Sequence, residues 1–150
     1  MNRIIILSPL IILLFICAFT LIYLLSDKDP NKPPSALLNK NMPTFQGISL
    51  YDDKEVLKKV NLENKKVLIN FFASWCTPCK IEHPLFFELA KSHPNLYIIG
   101  VNHKDEKKDA KKYLKEDGNP YNFVAIDRDG LIALEFGVFG LPETFLINED

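Results

Sequence analysis

Cysteine is scarce in this chain, with three residues in all, and histidine is no more frequent. That shortage argues against a disulfide-stapled scaffold, since small secreted domains that rely on disulfides for stability carry several pairs. It argues equally against a zinc site, which needs four protein ligands when structural and three plus a water when catalytic. His83, His93 and His103 show no His-x(3–5)-His pairing, so no metal ligands are assigned. An excess of charge of one sign is also lacking: the formal net charge is −1, and 17 basic residues face 19 acidic ones after Arg3. Without a basic stripe, nucleic acid is not an expected partner.

Charge is missing altogether from Ile4 to Leu25, a run of 22 residues. As a helix rising 1.5 Å per residue this run spans about 33 Å, which matches the hydrocarbon core of a bilayer. A secretory signal has an apolar region of about 7–15 residues and an A-x-A-like cleavage site, and the run fits neither description. Residues 4–25 therefore read as an uncleaved, single-pass transmembrane anchor. Arg3 and the terminal amine precede it, which places residues 1–3 in the cytoplasm and the rest outside, although Lys28 and Lys32 follow closely. Cys17, inside the run, reads as a small apolar residue. Residues 26–40 contain Pro30, Pro33 and Pro34 among polar neighbours and read as an extended linker. Residues 41–150 have the length of one domain.

The two remaining cysteines stand in Trp75-Cys76-Thr77-Pro78-Cys79-Lys80, directly after the apolar run Val67 to Phe72 and before a helical stretch. Cysteines at this spacing form a reversible disulfide that can be passed to another protein. Closing so short a loop restricts the unfolded chain little, so the pair is there for exchange rather than stability. With Cys76 at a helix N-terminus, unpaired backbone N–H groups and the macrodipole favour its thiolate. Cys76 is then the attacking sulfur, and Cys79, one turn further in, is the shielded one that resolves the mixed disulfide. Pro78 suits the first turn because its missing N–H would be unpaired there anyway. Trp75, beside an exposed sulfur, is read at the rim of the site, shaping access for a partner.

Periodicity gives a coarse outline. Val67 to Phe72 and Leu96 to Val101 read as buried strands, with a helix from Lys80 to Ser92 between them that packs through Ile81, Leu85, Phe86, Leu89 and Ala90. Pro84 removes a bond to the Lys80 carbonyl, and a kink is expected there. A charged helix from Asp105 to Asp117 turns Ala110, Tyr113 and Leu114 inward and stops at Gly118. Asn122 to Ile126, a short helix at Leu131 to Phe136, and Thr144 to Ile147 complete an α/β pattern with a partly parallel sheet.

This order, with the strings Phe72-Ala73-Ser74-Trp75-Cys76-Thr77-Pro78-Cys79-Lys80-Ile81-Glu82-His83, Gly100-Val101-Asn102-His103-Lys104-Asp105, Gly118-Asn119-Pro120-Tyr121 and Gly137-Val138-Phe139-Gly140-Leu141-Pro142-Glu143-Thr144-Phe145-Leu146-Ile147, resembles the CcmG/DsbE family. These are membrane-anchored, thioredoxin-like proteins of cytochrome c biogenesis. The resemblance implies an α/β thioredoxin-like fold behind an N-terminal transmembrane helix. It stops short of the family's last strand and helix and leaves Thr144 to Ile147 on a sheet edge.

It further implies an inner-membrane, single-pass protein whose periplasmic domain reduces the haem-site cysteines of apocytochrome c. Its partners would be apocytochrome c or other haem-pathway proteins, and a DsbD- or CcdA-type membrane electron donor. The redox-active disulfide Cys76–Cys79 would be its only redox group, without a separate cofactor. Pro142 matches the cis proline packed against that disulfide, leaving the Leu141 backbone to pair with an extended substrate segment. Glu82 and Glu143 match acidic positions around the site, where a negative charge opposes the thiolate; as residues alone they are equally compatible with solvated surface acids. Lys80 reads as a solvated neighbour, and His83 has no evident partner. Two other functions fit the same residues: a general extracytoplasmic disulfide reductase of the TlpA or ResA type, and a non-catalytic module that binds haem-pathway proteins or copper through its thiols.

Overall fold

The computed structural model describes residues 3–25, 37 and 40–148. They belong to two units, an N-terminal helix and an α/β domain. Nearly all of the linker assigned to residues 26–40 lies outside the described residues.

Helix α1 (Arg3–Leu25) realises the uncharged run, and its Leu7–Leu25 stretch is long and apolar enough to cross a membrane. Side chains such as Leu14, Phe15 and Leu24 are exposed on it, as is the Cys17 thiol. The Thr20 hydroxyl donates to the Ile16 carbonyl at 2.9 Å, so that this polar group is satisfied within the helix, as an apolar solvent requires.

In the domain, β1 (Gln46–Ser49), β2 (Val56–Lys58), β3 (Val67–Phe72), β4 (Tyr97–His103), β5 (Phe123–Asp127) and β6 (Glu143–Ile147) form one sheet in the order β2-β1-β5-β4-β3-β6. Strands β3, β4 and β5 are mutually parallel, while β6 pairs antiparallel with β3, and β1 pairs antiparallel with both β5 and β2. All six residues of β3 are buried, the near-continuous apolar run expected of a strand covered on both faces. Its alternation divides the core. Val67, Ile69 and Phe71 face Phe45, Val101, Phe123 and Phe136, whereas Leu68 and Phe72 face Phe86, Tyr113, Leu114 and Tyr121. The first cluster includes residues of α4 (Leu131–Phe136), and the second includes residues of α2 (Thr77–Ser92) and α3 (Lys107–Glu116).

Helix α2 corrects the packing face read from the sequence. It runs without interruption through Pro84, but Ile81 is 76 % exposed and Leu85 is 55 % exposed. The buried residues are Cys79, His83 and Phe86. The phase is set by Cys79, whose inward position brings the residues four and seven places further on to the same face and turns Ile81 away. Helix α3 begins at Lys107, two residues later than expected, with Ala110, Tyr113 and Leu114 buried as expected. Gly118 follows it with a φ of 88°, in the left-handed region. Strands β1 and β2 and a 3₁₀ turn at Lys59–Leu62 were absent from the sequence reading.

Gly100 in β4 shows how tightly the α2/α3 side is filled. A Cβ there would stand 2.8 Å from Tyr121 Cδ2 and 2.9 Å from Phe72 Cε1, in the space taken by the stacked pair of those rings, whose centroids are 5.2 Å apart. Gly100→Ala is therefore expected to destabilise the domain by about 1–3 kcal/mol. The measurement is urea unfolding, with a lower midpoint at unchanged slope; an unchanged midpoint would show that the ring pair yields without cost.

Candidate functional site

The parallel strands end on one side of the sheet, where the chain passes from β3 directly into α2. The Cys76 N–H closes a tight turn by donating to the Ala73 carbonyl at 3.2 Å. Cys76 then serves as N-cap of α2, with φ −84° and ψ 103°, followed by Thr77 and Pro78 in the first turn. Cys76 and Cys79 are joined in a disulfide with Cα atoms 5.3 Å apart. The Cys79 N–H points at Cys76 Sγ, 3.2 Å away. A thiolate at Cys76 would thus receive a backbone hydrogen bond and the positive end of the helix. Contrary to the expectation of an exposed attacking sulfur, the two residues are almost equally buried, at 4 % and 2 % exposure. Burial therefore does not distinguish them; the amide at Cys76 Sγ does.

Strand register brings the remaining residues to the same place. Glu143 lies opposite Phe71, which sets Pro142 next to the level of Phe72, where the chain leaves β3 for the cysteines. The Leu141–Pro142 bond is cis, and half-buried Leu141 packs against the cluster that contains both cysteines. Trp75 is 61 % exposed and its indole N–H donates to the Lys104 carbonyl at 3.1 Å, so that it stands at the rim with its polar end tied down. Pro78 is exposed. Glu143 accepts from the Phe139 N–H at 3.3 Å, which ties the two ends of the 139–143 segment together. Burial raises the Glu143 carboxyl above the usual range against the lowering effect of that bond.

Glu82 is half-buried, not a freely solvated acid. It lies three residues beyond Cys79 on α2, a spacing that puts the two on neighbouring positions of the helix surface. The Asn70 amide donates to Glu82 Oε1 at 2.9 Å and to Thr144 Oγ1 at 3.0 Å, while the Tyr121 hydroxyl donates to Asn70 Oδ1 at 2.8 Å. Burial raises the Glu82 carboxyl above its ordinary value, outweighing the Asn70 bond that lowers it. Tyr121 is held well above the usual phenol range, first by burial and then by Tyr113 and Glu82. His83, without an evident partner in the sequence, is 3 % exposed and donates from Nε2 to the Gly118 carbonyl at 3.0 Å. It joins α2 to the turn after α3. Lys80 is exposed, its ammonium 5.7 Å from the Tyr113 ring centroid.

Asn70, Thr144, Tyr121, Ser74 and Asp105 were not assigned to the site from the sequence. Asn70 carries a signal, being the one polar residue in an otherwise apolar buried strand, where a polar side chain has to find partners. Asp105, read as part of a helix, lies outside α3 and turns its carboxylate toward Ser74.

Comparison with known proteins agrees with this geometry. The Redoxin family profile matches residues 37–150. The probable thiol:disulfide interchange protein DsbE-2 of Pasteurella multocida is 41 % identical over 141 residues, covering 94 % of this chain and 72 % of that protein. The thiol:disulfide interchange protein DsbE of Escherichia coli K12 is 40 % identical over 152 residues, covering 99 % of this chain and 81 % of that protein. A secreted Mycobacterium tuberculosis disulfide oxidoreductase, described as homologous to E. coli DsbE, superposes with a TM-score of 0.65 at 20 % identity, covering 71 % of this chain and 77 % of its own. At that identity the likeness shows the thioredoxin-like fold alone.

The raised Glu82 carboxyl has a consequence for stability. Between its ordinary and raised values the folded chain holds a proton that the unfolded chain has released, so stability falls as pH rises through that interval. The contribution is complete below the ordinary carboxyl value and is lost above the folded one. Glu82→Gln keeps an acceptor for Asn70 and removes the titration. Relative to the parent, its urea midpoint is expected to rise from about pH 4 to about pH 8; a constant difference across that range would mark Glu82 as a freely solvated acid.

Proposed function

The chain belongs to the Redoxin family, among the DsbE-type thiol:disulfide interchange proteins, and from that premise we propose that it reduces the haem-site cysteines of apocytochrome c on the periplasmic face of the inner membrane. Thiol–disulfide oxidoreduction is its chemistry. The direction, the substrate and the side of the membrane are the proposal. The observation that carries it is the Cys76–Cys79 pair at the N-terminus of α2, with the Cys79 amide directed at Cys76 Sγ and two half-buried acids, Glu82 on the same helix and Glu143 on β6.

In the dithiol form, the Cys76 thiolate attacks one sulfur of a substrate disulfide, and the other substrate sulfur leaves as a thiolate that takes up a proton. Cys79, having lost its own proton, then attacks Cys76 Sγ. The Cys76–Cys79 disulfide forms, the mixed disulfide breaks, and the substrate leaves as a dithiol carrying both electrons. A membrane dithiol donor of the DsbD or CcdA type restores the reduced form by the reverse exchange. Trp75 and Pro78 shape the approach, and the Leu141 backbone before cis Pro142 pairs with an extended substrate segment, a strand-addition mode in which main-chain bonds give affinity and side chains give selectivity. Ionised Glu82 and Glu143 oppose a second negative charge at the sulfurs, so that the dithiol is not over-stabilised as a thiolate and remains a reductant. Helix α1 holds the domain at the membrane.

Cys79→Ser removes the resolving sulfur while leaving the attacking one. It is expected to accumulate a mixed disulfide through Cys76 with a disulfide-bonded C-x-x-C-H peptide, at least tenfold faster than with an unrelated peptide disulfide of equal length. The adduct is read by non-reducing gel and intact mass. Equal trapping of both peptides would indicate a general disulfide reductase, and full exchange activity without Cys79 would contradict the two-cysteine route.

A further inference from the structure

We propose that Asp105 is a positioning residue of the exchange site, holding the turn that delivers Cys76 to the start of α2. The turn runs from Ala73 to Cys76 and is closed by the Cys76 N–H donating to the Ala73 carbonyl. Ser74 and Trp75 are its two central residues, and both are held by the loop after β4. Asp105 Oδ2 accepts from the Ser74 N–H at 2.6 Å and Oδ1 accepts from the Ser74 hydroxyl at 2.9 Å. The adjacent Lys104 carbonyl accepts from the Trp75 indole.

The Asp105 carboxylate is itself fixed. It is 8 % exposed and takes two further bonds, from Asn102 Nδ2 at 2.9 Å to Oδ2 and from the Glu106 N–H at 2.9 Å to Oδ1. Asn102 is fully buried in β4, in register with Phe72 of β3 and Ile126 of β5, so the clamp rests on the centre of the sheet. Among the described residues Asp105 belongs to no ion pair; four neutral donors share its two oxygens. Lys104 adopts a φ of 46°, a left-handed conformation that a non-glycine residue takes at some cost. In that loop the Lys104 carbonyl meets the indole while the next residue's carboxylate meets Ser74.

Two oxygens that each accept two bonds cannot be replaced by an amide without setting an NH₂ group against donors. Loss of the clamp frees Ser74 and Trp75, and with them the position of Cys76 Sγ relative to the Cys79 N–H. A displacement of about 1 Å at reacting atoms is enough for a rate loss on the order of a hundredfold. The consequence falls on the sulfur of the established exchange chemistry, whatever disulfide it meets.

Trp75 is the only tryptophan in the chain, so its fluorescence reports on the clamp directly. The test compares the full-length parent and Asp105→Asn in detergent micelles, reading Trp75 emission and anisotropy, alkylation of reduced Cys76 by iodoacetamide at neutral pH, and cooperative melting. The expected result is a red-shifted emission with lower anisotropy and alkylation slowed about tenfold or more, in a variant that still melts cooperatively. If Asp105→Asn does not fold, Ser74→Ala carries the test: it removes one of the four accepted bonds and is expected to shift both readouts in the same direction by a smaller factor. A folded Asp105→Asn, or in its place Ser74→Ala, with parental emission and an alkylation rate within twofold of the parent would overturn the proposal, even if its melting temperature is lower. Because alkylation involves no protein substrate, failure of the apocytochrome assignment would leave this result intact.

Discussion

Everything at the site depends on a buried strand ending and a helix beginning within a few residues of each other, so that the Cys79 amide meets the Cys76 sulfur. Strand β3 is buried along its whole length, which fixes where Phe72 ends. The Ala73–Cys76 turn then leaves no slack before Cys76 caps α2. Because Cys79 faces the sheet, the phase of α2 follows from it. His83 and Phe86 are carried inward, and Ile81 and Leu85 outward. The chemistry of the motif and the packing of the helix are thus one constraint.

Opposed electrostatic influences act at this junction. Backbone N–H groups and the helix macrodipole favour a thiolate at the N-cap, whereas in the proposed mechanism ionised Glu82 and Glu143 act against added negative charge. Burial raises both carboxyls, which favours their neutral forms and so limits that opposition. Asn70 holds Glu82 in place with an orientation imposed from behind, since the Tyr121 hydroxyl occupies its carbonyl oxygen and leaves only the amide hydrogens for Glu82 and Thr144. Residues from β3, α2, β6 and the segment before β5 therefore set one acid. On the other side, Asp105 and Lys104 hold the turn itself.

The sequence was most legible where one physical signal dominated. An uncharged run of 22 residues that forms a helix, a strand before Cys76 that is apolar but for Asn70, and a charged helix that stops before Gly118 each left a strong local signal. Strands β1 and β2 escaped because they are four and three residues long and bury alternate positions only, too little periodicity to separate from loop. The packing face of α2 was misread because Ile81 and Leu85 are apolar, while the residue that sets the phase is a cysteine. The supporting polar residues were hidden for a different reason: Asn70 with Thr144, and Ser74 with Asp105, meet across 74 and 31 positions of chain, and only strand order and register bring them together.

The account stands most directly on the redox potential of the Cys76–Cys79 pair in the full-length chain, titrated against a glutathione or dithiothreitol couple at neutral pH. Thiol–disulfide proteins of this kind span about −270 to −120 mV. A site in which acids offset the stabilisation of the thiolate is predicted to lie near the reducing end of that span. A value near the oxidising end would contradict the assignment as a reductant.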